Sequence, residues 1–317
     1  MYLTPVIIIL FNRPGCVQSL MSKLREVKPK RIYIIADGPR SGRPDDARLC
    51  GEARALAEGA DWDCEIRKNY SDANMGCGAR VSSGISWVFE QEERAVILED
   101  DCIPDPTFFR FCEELLSVYG SDHRVMCITG QSHQPVRWAD EASRPSYFFS
   151  RYPLCWGWAT WRRAWTLYDH GMRDWPVIKS SGRLDAVLND RRAVRYWAQK
   201  FDHTYTGKVD SWAYRWILSC WLRGGLTASP WTNLVHNIGF DDSAATHTGK
   251  AHAHLSPPAS PIQFPLRHPA AICRDHQADH RTEMTRFSKS LPNQIRAILR
   301  RLLSAVQPQS TGHPVRK

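Results

Sequence analysis

Three carboxylates in a row, Glu99, Asp100 and Asp101, follow an apolar run in the stretch AVILEDDCIP. Adjacent anions repel one another, so such a cluster calls for a cation. Hard oxygen donors of this kind suit Mg²⁺ or Mn²⁺ carrying a phosphate. Two further charged residues occupy comparable places: Arg13 shortly after the apolar run 6–10, and Asp37 directly after 32–36. A nucleotide fits between them, with Asp37 accepting from a uracil N–H or a ribose hydroxyl and Arg13 pairing with base or phosphate. The spacing alone supports a plain Arg13–Asp37 ion pair equally well. For the triplet, the competing reading is a cap on the Pro-rich turn or on the helix that follows, but one cap uses one acid.

The elements that must place these groups show as patterns. Residues 6–10, 32–36 and 95–98 are short, apolar and partly β-branched, which suits strands buried on both faces of a parallel sheet. Such sheets bind ligands beyond the carboxyl ends of their strands. Pro14 opens a helix expected to reach about Val27, with Val17, Leu20, Met21 and Leu24 at helical spacing. Further helices are expected over 45–58, 79–89 and 106–119, a weaker strand over 64–68 and another strand over 125–129. The glycine-bearing loop 74–78 is neither a P-loop nor a dinucleotide fingerprint. This alternation predicts an α/β fold with a doubly wound, mostly parallel, Rossmann-like sheet flanked by helices. After Gly130 the chain turns aromatic, with helices expected over 184–200 and 211–223 and a last strand over 226–229. From about residue 252 it is rich in Pro and His, lacks periodicity and reads as poorly ordered. The exception is a basic amphipathic helix over 291–306, which could dock on the body or on an anionic membrane surface.

Composition narrows the function classes. The 317 residues are 43% hydrophobic and 24% charged, enough to bury a sizeable core. Of the formal charge of +9, the tail 251–317 carries most, with ten Lys or Arg against three Asp or Glu. The body is close to neutral, and no basic and aromatic residues interleave in a nucleic-acid motif, so no nucleic-acid partner is expected. Ten cysteines are scattered without a C-x-x-C pair or a zinc spacing, which reads as reduced, buried thiols of a cytoplasmic protein. No apolar run reaches the length of a membrane span, so contact with an inner membrane would be peripheral, through 291–306.

Taken in order, FNRP after the first strand, ADGP after the second, NMGCG with its helix ending in SWVF, AVILEDDCIP, FFRFC and VMCITG resemble the nucleotide-diphospho-sugar transferases of the GT-A fold. The resemblance is to bacterial relatives of the N-acetylglucosaminyltransferase I family and covers about residues 5–250. It implies that the triplet is the counterpart of the DXD motif, with Asp101 coordinating Mn²⁺ or Mg²⁺ on the UDP diphosphate. Glu99 and Asp100 would then contact ribose or sugar or support the site, and Arg13 and Asp37 would hold the uridine. Eukaryotic members carry a nucleotide-contacting His at the start of the helix before the triplet, where this chain has Gly78-Ala79-Arg80. The segment 154–162, LCWGWATWR, resembles the family's Gly-Trp segment, and Trp156, Trp158 and Trp161 are candidates to stack on a sugar ring. Val209-Asp210-Ser211-Trp212 resembles the family's Asp-Asp-Trp, which makes Asp210 the candidate catalytic base; in isolation it reads as an N-cap of the helix after it. Some GT-A enzymes complete the metal site with a His in the region of 233–248, where His247 is the better placed and His236 the lesser candidate.

The resulting expectation is a GT-A domain over 1–250, with a nucleotide-sugar-binding half (1–130) and an aromatic-rich acceptor half (131–250), followed by a basic tail (251–317). Its activity would be inverting, metal-dependent transfer of a sugar, from a UDP-sugar such as UDP-GlcNAc, to a hydroxyl of a saccharide or lipid-linked saccharide. Two rivals are a sugar-1-phosphate nucleotidyltransferase, which would need a glycine-rich phosphate loop where FNRPG stands, and a non-catalytic sugar-binding protein on the same fold.

Overall fold

The computed structural model describes residues 2–135, 144–240 and 257–287. His247 and the helix expected over 291–306 lie outside them. In chain order the first half runs β1 (Val6–Leu10), α1 (Pro14–Val27), β2 (Arg31–Ala36), α2 (Pro44–Glu58), β3 (Glu65–Tyr70), α3 (Cys77–Phe89), β4 (Arg94–Glu99), β5 (Cys102–Pro104), α4 (Pro106–Val118) and β6 (Val125–Thr129). The second half adds β7 (Tyr147–Ser150), β8 (Trp158–Trp161), α5 (Arg162–Trp165), α6 (Trp175–Ser180), α7 (Arg183–Leu188), α8 (Arg191–Tyr205), α9 (Trp212–Leu222), β9 (Leu226–Pro230), β10 (Val235–Asn237) and α10 (His276–Thr282).

Eight strands form one sheet in the order β3-β2-β1-β4-β8-β6-β9-β7. Strand β1 pairs in parallel with β2 and β4 in registers that set Leu10 beside Ala36 and Ile9 beside Glu99. Three strand ends therefore finish level, and the residues after them, Phe11 to Arg13, Asp37 and Asp100-Asp101, emerge at one edge. Among the described strands of this sheet, only β7 and β8 run against the others. The four-residue β8 fits between β4 and β6 and interrupts the parallel succession that the alternation predicts.

Burial follows the strand alternation. One face of the sheet packs Val6, Ile8, Ile34 and Leu98 against α1, α2 and α4. The other packs Ile7, Ile9, Ile35 and Ile97 against α3, α5 and α9. A third cluster, built on Tyr152, Trp175, Trp197, Phe201 and Trp221, joins α6 to α9. The helix expected over 184–200 is two helices, because Asn189 turns left-handed (φ 49°) and Asp190 caps the next one through the amides of Arg192 and Ala193.

Residues 257–287 depart from the expected poorly ordered tail. Asp279 is fully buried and accepts from Ser150 Oγ, the Arg151 amide and Arg274 Nε. Glu283 accepts from Tyr152 Oη and from Trp197 Nε1 (3.0 Å). These carboxylates dock the segment on the aromatic cluster. Two acidic residues among many polar ones carry no periodic signal, which is why composition suggested disorder.

Candidate functional site

The acidic triplet and Arg13 form one cluster. Arg13 Nη1 donates to Asp101 Oδ2 at 2.9 Å, and Nη2 donates to Asp100 Oδ1. The guanidinium thus spans two neighbouring carboxylates, and the plain Arg13–Asp37 pair does not form. Three carboxylates against one cation leave negative charge in excess. Burial raises Glu99 to about 8, and Asp101 and Asp100 add to it; burial raises Asp100 to about 6 against the pull of Arg13. Asp100 Oδ2 is buried without a hydrogen-bond partner. The same low-dielectric setting holds the Arg13 guanidinium protonated far above its usual range, its neighbouring carboxylates outweighing desolvation.

Asp101 keeps some exposure. Its Oδ1 accepts from Asn237 Nδ2 at 3.1 Å. Asn237 lies on β10, opposite Cys102 of β5, and that two-stranded ribbon carries the segment 237–239 over the triplet. A Cβ on Gly239 would fall 2.3 Å from Asp101 Oδ2 and 3.1 Å from Arg13 Nη1, so only glycine allows this approach. His236, one residue earlier, faces away: its Nδ1 meets the Pro257 carbonyl at 3.2 Å. It belongs to the ribbon and not to the acidic cluster.

Asp37 serves the loop beside the triplet. Its Oδ1 accepts from the amides of Gly38 and Met75, both at 2.9 Å, and its Oδ2 from Asn74 Nδ2 (2.9 Å) and the Gly76 amide (3.2 Å). Three of these four bonds pin the loop 74–76 to the end of β2. Arg80, in the region where the eukaryotic members have their His, is buried beneath this loop. It donates to the Ala36 carbonyl (3.1 Å) and to Asn69 Oδ1 (2.7 Å).

Asp210 stands on the other side of the same loop. The helix after it is capped by Ser211, whose Oγ accepts from the Tyr214 amide, so Asp210 is not the N-cap. Its carboxylate is half exposed, 4.0 Å from Arg215 Nη1. It rests on glycine: a Cβ would lie 2.7 Å from Asp210 Oδ2 at Gly76 and 2.1 Å from Oδ1 at Gly78. The Cys77 thiol, between those glycines, is raised by burial and then by Glu99, Asp210 and Asp37 in turn. The three carboxylates therefore surround one loop.

The three candidate tryptophans separate. Trp158 and Trp161 are three residues apart on β8, so they project to opposite faces of the sheet. Trp161 is buried and donates to the Leu116 carbonyl of α4 (3.0 Å). Trp158 is also buried, stacked on Trp212 (centroids 5.4 Å, interplanar angle 21°). Its part is to back Trp212, which contacts Glu99. Trp156, before the strand, stays partly exposed, with the Arg286 guanidinium 4.8 Å from its ring centroid.

Asn237, Gly239 and Arg286 were not among the sequence candidates, and Trp212 entered only as part of the motif 209–212. Asn237 and Gly239 stood within 233–248, where only a metal-ligating His was sought, and Arg286 within a stretch read as poorly ordered. Among the described residues no three His, Cys, Asp or Glu side chains converge into a closed metal site. The excess negative charge and the accessible edge of Asp101 nevertheless fit a divalent cation held by one carboxylate, with substrate phosphates and water completing its shell. No described helix is long and apolar enough to cross a membrane.

No protein-family model and no curated protein matches the chain. Solved structures similar to it include a mannosyltransferase from Pyrobaculum calidifontis in complex with GDP-Man and Mn²⁺, at 12% identity, covering 69% of each chain with a TM-score of 0.38. Glucosyl-3-phosphoglycerate synthase from Mycobacterium tuberculosis is similar at 11% identity, over 57% of this chain and 64% of that one, TM-score 0.32. A UDP-glucose pyrophosphorylase in complex with UDP-glucose is similar at 8% identity, over 52% and 78%, TM-score 0.31.

Proposed function

We propose that the protein is a GT-A glycosyltransferase of the inverting kind, related to the N-acetylglucosaminyltransferase I family, that moves a sugar from a uridine-diphosphate donor to a saccharide hydroxyl. The observation that carries this reading is the position of Asp210: released from capping by Ser211, half exposed, and set on the glycine loop that Asp37 holds from the other side. A carboxylate so placed can take the proton of an acceptor hydroxyl as it attacks the anomeric carbon.

In this mechanism the donor lies across the ends of β1, β2 and β4. Asp101 would hold the divalent cation, which when bound neutralises charge on the departing diphosphate. Arg13 and Asn237 orient Asp101. Glu99, backed by Trp212, faces the transferred sugar or the ribose. Asp37 acts through the loop it pins, since its oxygens already accept four bonds. Arg215 keeps the Asp210 carboxylate turned toward the loop. The nucleotidyltransferase rival lacks support: only Phe11, Asn12 and Arg13 separate β1 from α1, too few for a phosphate loop, and Arg13 is engaged by the triplet.

The test is Asp210→Asn, assayed with UDP-GlcNAc first and other UDP-sugars after it. Transfer should be lost while Mn²⁺-dependent stabilisation by UDP is retained. Loss of UDP binding in this variant would refute the assignment of the base.

A further inference from the structure

Arg286 is a partly buried cation without an anion among the described residues. It lies in the segment fixed by Asp279 and Glu283, three residues after the latter, so two buried carboxylates set its position. Its guanidinium stacks on Trp156 at 4.8 Å, and burial lowers its affinity for the proton, offset in part by Tyr196 and Tyr214. Among the described residues it donates no hydrogen bond and meets no carboxylate within ion-pair distance. A partly exposed guanidinium that takes no acceptor from the described residues keeps its donors available to an anion on a ligand.

The surroundings indicate which ligand. Tyr214, four residues after Asp210, comes from α9, and Tyr196 comes from α8. Trp156, on which the guanidinium stacks, precedes Gly157, whose Cα packs against Val235 of β10, the strand that brings Asn237 to Asp101. His133 is held neutral here, lowered to about 3 by burial and by Arg286, and so offers no second cation. A planar fork backed by an indole ring suits a carboxylate or phosphate bidentately.

We propose that Arg286, seated on Trp156, binds an anionic group on the acceptor saccharide, a uronic carboxylate or a sugar phosphate. This rests on the glycosyltransferase reading for the word acceptor; the anion site itself does not. Trp156 serves as a reporter. The full chain is titrated by tryptophan fluorescence with glucuronate, glucose 1-phosphate and the neutral methyl glucoside, and separately by thermal shift with UDP and Mn²⁺. Saturable quenching by glucuronate or by glucose 1-phosphate, and none by methyl glucoside, is expected, and which of the two binds identifies the anion. Arg286→Gln should weaken that binding by about tenfold or more, the weight of hydrogen bonds to a charged group. Arg286→Lys, keeping the charge but losing the fork, should fall between. In both variants the UDP and Mn²⁺ shift should stay intact, which also establishes that they fold. Quenching by neither anion, or equal quenching in Arg286→Gln, overturns the inference. Anion binding without any response to UDP-sugars would instead remove the glycosyltransferase reading and leave the site standing.

Discussion

The Asp210 carboxylate lies against the Cα of Gly78, where a Cβ would stand 2.1 Å from Oδ1 and 2.9 Å from Arg215 Nη1. Gly78→Ala therefore forces Asp210 away from the loop, and neither the buried helix α3 nor the pinned loop can yield. Transfer should drop by about a hundredfold or more, as expected when a reacting group is misplaced by an ångström. Stability should fall by no more than about 1–3 kcal/mol. The kcat of the purified variant beside its thermal midpoint separates the two effects.

Arg13 is the only described cation bonded to the triplet. Arg13→Met removes it, leaving three carboxylates to repel one another in a buried setting. The variant should lose about 3–5 kcal/mol, the cost of breaking a buried pair. Mn²⁺ should restore more stability to the variant than it adds to the parent, because the ion takes over the missing charge. Urea unfolding with and without Mn²⁺ checks both statements.

Trp156 and Trp161 should respond in opposite ways. Trp161→Ala opens a cavity in the core and loses a hydrogen bond, so it should cost about 3–5 kcal/mol. Trp156→Ala should cost far less stability, yet abolish the anion-dependent fluorescence change. Chemical denaturation and ligand titration of the two variants make the comparison.

Asp46 sets part of the acid limit. Hydrogen bonds from Arg40, from the Arg40 amide and from Asn12 hold its carboxyl well below the usual carboxylate range. The folded value is depressed, so the unfolded chain binds the proton first. This contribution is complete above the ordinary value of 3.8 and drains away as the pH falls through the lower folded value. Asp46→Asn should flatten the loss of stability below about pH 4, measured by urea unfolding across the acid range.

What could be read from the residues depended on how local the cause was. Strands β1, β2 and β4 were legible because strands buried on both faces are written as unbroken apolar runs. The triplet stood out for the same reason, as charge directly after such a run. Strand β8 was not legible: WATW is four residues long, and its tryptophans face opposite sides only once it is known to be extended. Asp210 resembled a cap until the structure gave that task to its neighbour Ser211. Asn237 meets Asp101 from 136 residues further along the chain, and Arg286 meets Trp156 from about 130, through a ribbon and a docked segment that leave no periodic trace. Contacts of that kind are set by tertiary packing, which single-residue types do not encode.

The seating of β8 between β4 and β6 also bears on how the molecule is made. As the chain leaves the ribosome, β4 is complete about sixty residues before its partner β8 is synthesised, and domains form only after their long-range pairings can close. For that interval the edge of β4, with its apolar side chains, has no neighbour and is open to pairing with another nascent chain. A fragment ending near residue 130 would retain that open edge permanently. The parallel strands and the carboxylates they carry thus reach a closed sheet only when the second half has been threaded into it, so the two halves are obligate partners in biogenesis.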